Sequence, residues 1–172
     1  MVGVFIWLPK WRDGQPDIGH GAMLFRGGYV SNWPGTDASI LWGPGQPNEN
    51  LAADVQSEGG LPQLIYLLKA LDEDAMGEKW AEMRNDLKYS FLAHNCFTTV
   101  AEVLSVGLGP LQSAIAEIPV SHEAVISHSI LINYIQQILL VTERRLDLYG
   151  ETPQEALAAF LKELNAAKAK QQ

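Results

Sequence analysis

Sulfur chemistry is scarce in this chain: 172 residues carry one cysteine, Cys96. One thiol cannot close an intramolecular disulfide, so a disulfide-stapled secreted scaffold is excluded. A reducing compartment or a reactive thiol is the expectation instead. Basic residues are also few. Twelve Lys and Arg stand against twenty Asp and Glu, for a net charge of −8. No basic stripe is available to meet phosphates, which argues against a nucleic-acid partner. The first ten residues, Met1 to Lys10, lack the basic, long apolar and small-residue regions of a signal peptide. The expected location is therefore cytoplasmic, or outside the cell by a signal-independent route. The four histidines, His20, His94, His122 and His128, show no zinc spacing. There is no phosphate loop and no internal repeat, so neither a metal nor a cofactor is expected. The most apolar stretch, Ala124 to Val141, is interrupted by Ser127, His128, Ser129, Asn133, Gln136 and Gln137. That polar content disfavours a membrane span and suits a core helix or an oligomer contact.

What is present describes an ordinary globular chain. Hydrophobic residues at 47% and charged residues at 19% support one domain with a real core. Residues 2–8 form an apolar, β-branched and aromatic run ended by Pro9, and read as a strand. Residues 10–17 read as a loop. Residues 18–33 hold two apolar runs around Gly27-Gly28, a hairpin signal. Pairing Arg26 with Tyr29 puts His20, Ala22 and Leu24 on one face with Ser31 and Trp33. Gly19 and Gly21 flank His20 and leave room for close approach. Residues 39–42 suggest a strand, and residues 43–60 a long loop. From Leu61 the apolar spacing becomes helical: Leu61, Leu64, Ile65, Leu68 and Leu71 make one stripe, with Pro62 in the first turn. The acidic run Asp72–Asp74 breaks it, and Glu78 to Tyr89 reads as a second helix. After the Cys96 segment come a helical turn over 111–118, a long helix from Ser121 to Leu148, and a final helix capped by Thr152-Pro153-Gln154-Glu155.

Cys96 sits where a helix begins. Asn95 is a good N-cap. Phe97, Val100, Ala101 and Leu104 then mark one buried face, and Gly107 a stop. A lone cysteine is commonly a small buried hydrophobe. At a helix N-terminus, however, unsatisfied N–H groups and the helix dipole favour the thiolate. A cysteine nucleophile also needs a base, and His20, on a strand, is one candidate among the four histidines.

Three segments carry a family resemblance. They are Ile18-Gly-His20-Gly-Ala-Met-Leu-Phe25, Tyr29-Val-Ser-Asn-Trp-Pro34, and Tyr89-Ser-Phe-Leu-Ala-His-Asn95-Cys96-Phe-Thr-Thr-Val-Ala-Glu-Val-Leu104. Together, over residues 4–107, they resemble the circularly permuted papain-like superfamily, which includes permuted relatives of the NlpC-type amidases, the PPPDE isopeptidases and the lecithin:retinol acyltransferase-like enzymes. In these the histidine strand precedes the cysteine helix, as His20 precedes Cys96. The resemblance implies an α+β fold in which an antiparallel sheet packs on the cysteine helix. Residues 1–110 would form the catalytic domain and 111–172 a C-terminal helical extension on it. It implies Cys96 as nucleophile and His20 as general base and acid. The orienting third residue would lie on the strand after the histidine, where some relatives carry an Asp or a second His. Ser31 faces correctly and Asn32 does not, although a one-residue slip would exchange them. Asn95, Asn32 and Trp33 are the expected substrate-binding side chains.

The function implied is a cysteine peptidase or amidase acting through a thioester. A bacterial effector or toxin acting on cell-wall peptide or a target protein is the favoured setting. A thioesterase or acyltransferase with the same pair, and a non-enzymatic binding domain, are the alternatives. Expected partners are a peptide or protein substrate, and an inhibitor or immunity protein or a second copy at the C-terminal helices.

Overall fold

The computed structural model of the chain describes residues 1–12, 14–36, 42–109 and 127–141, with the single positions Ala158 and Lys162. The fold is mixed α+β, with antiparallel sheets and, among the described residues, four helices.

Its centre is a four-stranded antiparallel sheet in the order β5-β4-β1-β8. These strands are β1 (Val2–Trp7), β4 (His20–Phe25), β5 (Gly28–Val30) and β8 (Leu64–Leu68). β1 is buried along its whole length and pairs with β4 on one side and β8 on the other. A two-stranded hairpin and a three-stranded sheet hold the other strands among the described residues. β2 (Lys10–Arg12) pairs with β3 (Gln15–Asp17) in the expected loop over 10–17. β7 (Gly43–Gln46) lies between β6 (Trp33–Pro34) and β9 (Lys88–Tyr89).

Both faces of the central sheet are covered. One carries Val4, Ile6, Met23 and Phe25 against α2 (Glu73–Arg84), α3 (Cys96–Gly107) and α4 (His128–Val141). The opposite face carries Phe5, Trp7, Ala22 and Tyr29 against Leu51 and Val55 of α1 (Leu51–Glu58). Leu131, Tyr134, Ile135 and Ile138 of α4 enter the first of these cores. The remainder of the expected 111–172 extension lies outside the described residues, including the turn over 111–118 and the cap at Thr152. So do residues 39–41 of the expected 39–42 strand.

Several expectations are corrected. The helix expected over Glu78 to Tyr89 is α2, which starts earlier and ends at Arg84, while Lys88–Tyr89 is the strand β9 paired with β7. The loop expected over 43–60 holds β7 and α1. The stripe from Leu61 to Leu71 is not a helix: Leu64–Leu68 is the sheet strand β8, paired residue for residue with β1. A five-residue apolar run buried on both faces has no period of its own, so helix and strand cannot be separated by spacing. The acidic run at Asp72 does not break a helix but begins one. Asp72 caps α2 by accepting from the Asp74 and Ala75 N–H groups, and Glu73 and Asp74 lie in its positive first turn. The hairpin turn is Arg26-Gly27, so Leu24 pairs with Tyr29 and not with Ser31. That shift moves the pairing by two residues, so the faces are unchanged.

Candidate active site

Cys96 is the first residue of α3 and is only 2% exposed. Asn95 caps the helix, its Oδ1 accepting from the Thr98 N–H at 3.0 Å. Its Nδ2 donates to the Phe91 carbonyl at 3.2 Å. A reciprocal Ser90–His94 backbone bridge, 3.1 Å each way, closes the loop just before the cysteine. The helix start is thus held by the very residue expected to bind substrate. Asn95 is buried, and its side chain is engaged with the chain itself.

His20 is the first residue of β4, at the end of the sheet. Two glycines bring it there. Gly19 has φ +79°, and a β-carbon on it would press into the Trp7 carbonyl oxygen. A β-carbon on Gly21 would stand 2.8 Å from Phe97 Cδ1. Phe97 follows Cys96, so the bare Gly21 lets the first turn of α3 settle directly on the strand. The Cys96 side chain then lies beside the His20 ring, close enough to favour its charged form.

The ring itself is fixed between two indoles. Trp33 stacks on it with centroids 4.3 Å apart, and Trp7, its cross-strand partner, tilts against it at 5.5 Å. Its Nε2 faces Asp54 Oδ2 at 3.1 Å and Ser31 Oγ at 3.2 Å. With Nε2 so occupied, Nδ1 is the nitrogen left for the thiol. Burial alone would disfavour charge on this ring. Cys96 and Asp54 beside it outweigh that cost and raise its pKa from 6.5 to about 10.

Asp54 is fully buried on α1 and accepts from five side chains. His20 and Tyr29 Oη (2.6 Å) meet Oδ2. Ser31 Oγ (3.1 Å), Trp33 Nε1 (2.7 Å) and Asn48 Nδ2 (2.6 Å) meet Oδ1. Burial opposes its ionisation, but His20 and the other donors prevail and hold the carboxyl below its ordinary range. Its helix is anchored at its far end by Lys10. The Lys10 Nζ meets the Glu58 carbonyl at 2.6 Å and the Glu58 carboxylate at 3.0 Å.

Of the residues expected from sequence, the structure brings Cys96, His20, Ser31 and Trp33 together. Ser31 touches the His20 ring but shares that place with Asp54. Asn32 lies beside the site, buried, with its amide nitrogen turned to Thr99, Lys88 and His94. The residue missed is Asp54, which lies within the expected loop over 43–60. Its signals were short but present: Asn50 caps α1 through the Ala53 N–H, Leu51 and Val55 make an i, i+4 apolar pair, and Gly59 ends the helix in the left-handed region. Tyr89 lies close enough that Cys96, added to burial, raises the pKa of its phenol.

A cavity of about 170 Å³ lies beside the first turn of α3, lined in part by Met83, Leu87, His94, Thr98 and Thr99. Among the described residues no group of three or more His, Cys, Asp or Glu side chains is placed to hold a metal ion. Among them, too, no helix is long and apolar enough to cross a membrane. Comparison with protein-family models, with curated proteins and with solved structures found no match to this chain.

Proposed function

We propose that the chain is a cysteine hydrolase that cleaves an amide bond through a thioester, on a permuted papain-like plan. One observation carries the reading: the His20 ring is held between the Cys96 thiol and the buried Asp54 carboxylate. A thiol used only for packing needs no imidazole, and an imidazole used only for packing needs no carboxylate with five donors. The order of His20 before Cys96, and a cysteine helix packed on an antiparallel sheet, fit the permuted plan.

In this reading His20 Nδ1 takes the thiol proton, giving a thiolate and an imidazolium stabilised by Asp54. The sulfur attacks the amide carbonyl carbon. The oxyanion that forms is met by the Cys96 backbone N–H at the start of α3, where helix N–H groups lack partners. The imidazolium then gives its proton to the leaving amine, the C–N bond breaks, and a thioester remains. Water, deprotonated by His20, attacks that thioester, and the thiol regains a proton as the acid product leaves. The favoured substrate is a peptide amide, in cell-wall peptide or in a target protein, with the chain acting as a bacterial effector. An inhibitor or immunity protein, or a second copy, would dock on the C-terminal helices.

The test has two steps. Iodoacetamide should label Cys96 at pH 7 faster than it labels a free-cysteine peptide, and His20→Ala should abolish the difference. A panel of fluorogenic peptide amides, cell-wall peptides and acyl thioesters should then be cleaved by the wild type and not by Cys96→Ala. Equal labelling of wild type and His20→Ala would remove the catalytic reading. Turnover of thioesters alone would replace the amidase by an acyl-transfer enzyme on the same pair.

A further inference from the structure

One buried side chain joins the two halves of this site without touching either reacting group. Asn32 stands between Ser31 and Trp33, whose side chains go to His20 and Asp54. Its own side chain goes the other way, to the cysteine segment. Nδ2 donates to Thr99 Oγ1 at 3.0 Å and to the Lys88 carbonyl at 3.0 Å, with the His94 carbonyl at 3.4 Å. Thr99 Oγ1 in turn donates to the Asn95 carbonyl at 3.0 Å. Asn32 therefore grips the chain on both sides of Cys96: at His94, two residues before it, and at Thr99, three residues after it.

We propose that Asn32 is a positioning residue that sets the spacing of Cys96 from His20, a role that rests on the catalytic reading of that pair. Strand alternation makes the device work. Three consecutive residues send Ser31 and Trp33 to the histidine and aspartate on one face and Asn32 to the cysteine on the other. A displacement of the Cys96 loop must break the Asn32 bonds before it can change the thiol–imidazole distance.

The acceptor end of the same side chain points the same way. Among the described residues Asn32 Oδ1 is buried with no hydrogen-bond partner, and a β-carbon on Gly45 would collide with it. A buried acceptor left unpaired is destabilising. An amide that served stability alone would be replaced at little loss by an apolar side chain of its shape. Here the two amide hydrogens are used on the cysteine side while the oxygen goes without. That imbalance places the value of the residue in what its donors hold.

The test compares wild type with Asn32→Ala and with Thr99→Val, which removes one acceptor while keeping the side-chain shape. Three readouts are taken on each folded protein: iodoacetamide alkylation of Cys96 at pH 7, NMR titration of the His20 ring, and the indole N–H resonance of Trp33, which reports its bond to Asp54. In both variants alkylation should fall at least tenfold. The His20 titration should move down from about 10, because Cys96 is the largest influence raising it. The Trp33 signal should stay, since the histidine side is untouched. A general loosening of structure would move all three together and would overturn the proposal. A folded variant with wild-type alkylation and His20 titration would also overturn it. If Asn32→Ala does not fold, Thr99→Val alone decides the matter on the same criteria. If wild-type Cys96 alkylates like an ordinary thiol, the catalytic reading falls, while the His20 titration still reports whether Asn32 sets the spacing.

Discussion

Replacing Asp54 by Asn separates the charge of this carboxylate from its shape. An amide fits the same volume, and only one orientation keeps most of its bonds. The oxygen must take the place of Oδ1, where Ser31, Trp33 and Asn48 all donate. The NH2 group then faces His20 Nε2 and Tyr29 Oη. The tyrosine hydroxyl can rotate and accept. His20 can accept only by placing its proton on Nδ1, the nitrogen that should receive the thiol proton. Asp54→Asn thus holds the imidazole in the wrong tautomer and removes the negative charge that favours the imidazolium.

The magnitude follows from a buried, charge-assisted hydrogen bond, worth roughly 1.5–3 kcal/mol. At about 1.4 kcal/mol per tenfold, the thiolate–imidazolium pair should become roughly 10- to 150-fold less populated. The assay is iodoacetamide alkylation of Cys96 at pH 7, followed by intact mass against time. The rate should fall by that factor. Thermal stability should fall too, by about 3–12 °C if each kcal/mol costs ~2–4 °C in a domain of this size. Asp54→Ala is the harsher companion. It takes away the shared acceptor of five donors, leaving the buried Tyr29 hydroxyl and the His20–Ser31 pair without their carboxylate, and should consume much of a stability of about 5–15 kcal/mol. A folded Asp54→Asn protein that alkylates at the wild-type rate would refute this chain of reasoning, because the carboxylate would then have no part in activating the thiol.

Three further outcomes are expected. Gly21→Val should push Phe97 off β4, lowering stability by about 1–3 kcal/mol and slowing Cys96 alkylation more than Gly60→Ala does, since a β-carbon at Gly60 meets nothing within 4 Å and its backbone is outside the left-handed region; thermal melts and alkylation rates measure both. Stability against pH should follow the two shifted groups. The His20 contribution is full below about 6.5 and is lost as pH rises through about 10, whereas that of Asp54 is full above about 4 and is lost as pH falls through its lowered value. Melting temperatures across that range should show both limbs, with the upper limb moved to lower pH in Cys96→Ala. Asn95→Ala should cost about 1 kcal/mol through loss of the α3 cap; a melt unchanged within error would mean that the cap adds nothing.

The half of the site that was legible from sequence is the half built on local rules. Asn95 before an apolar helical stripe is a cap at any helix start, so the place of Cys96 could be read from a dozen residues. His20 between two glycines, in a run with strand alternation, likewise announces a strand under close approach. Strand alternation also survived the error in the hairpin turn. The register slipped by two residues, an even number, so Ser31 and Trp33 kept the face that His20 occupies. Leu64–Leu68 shows the limit: an apolar run buried on both faces carries no information about its own periodicity, and only pairing with β1 makes it a strand.

Asp54 was beyond those rules because what marks it lies on other elements. The local signals around Asp54, the Asn50 cap and the Leu51–Val55 pair, mark a helix but do not single out this acid from the neighbouring Glu49 and Glu58. Glu58 is buried as well, and it is matched to Lys10. What distinguishes Asp54 is that Tyr29, Ser31, Trp33 and His20, all from the β4–β6 segment, present donors to one point on the sheet face. A buried anion is tolerated only where enough donors converge. Those donors could have been counted from the sequence once the hairpin faces were known: an imidazole, a phenol, a hydroxyl and an indole share one face with no acceptor on their own strands. Such a face demands an acid from elsewhere. That acid must come from a segment that can cross that end of the sheet. The Asn50-to-Gly59 stretch, capped at both ends and carrying Leu51 and Val55 to bury against Phe5 and Ala22, offers Asp54 between them. Donor demand on one element is therefore a better guide to a distant orienting acid than any pattern around the acid itself.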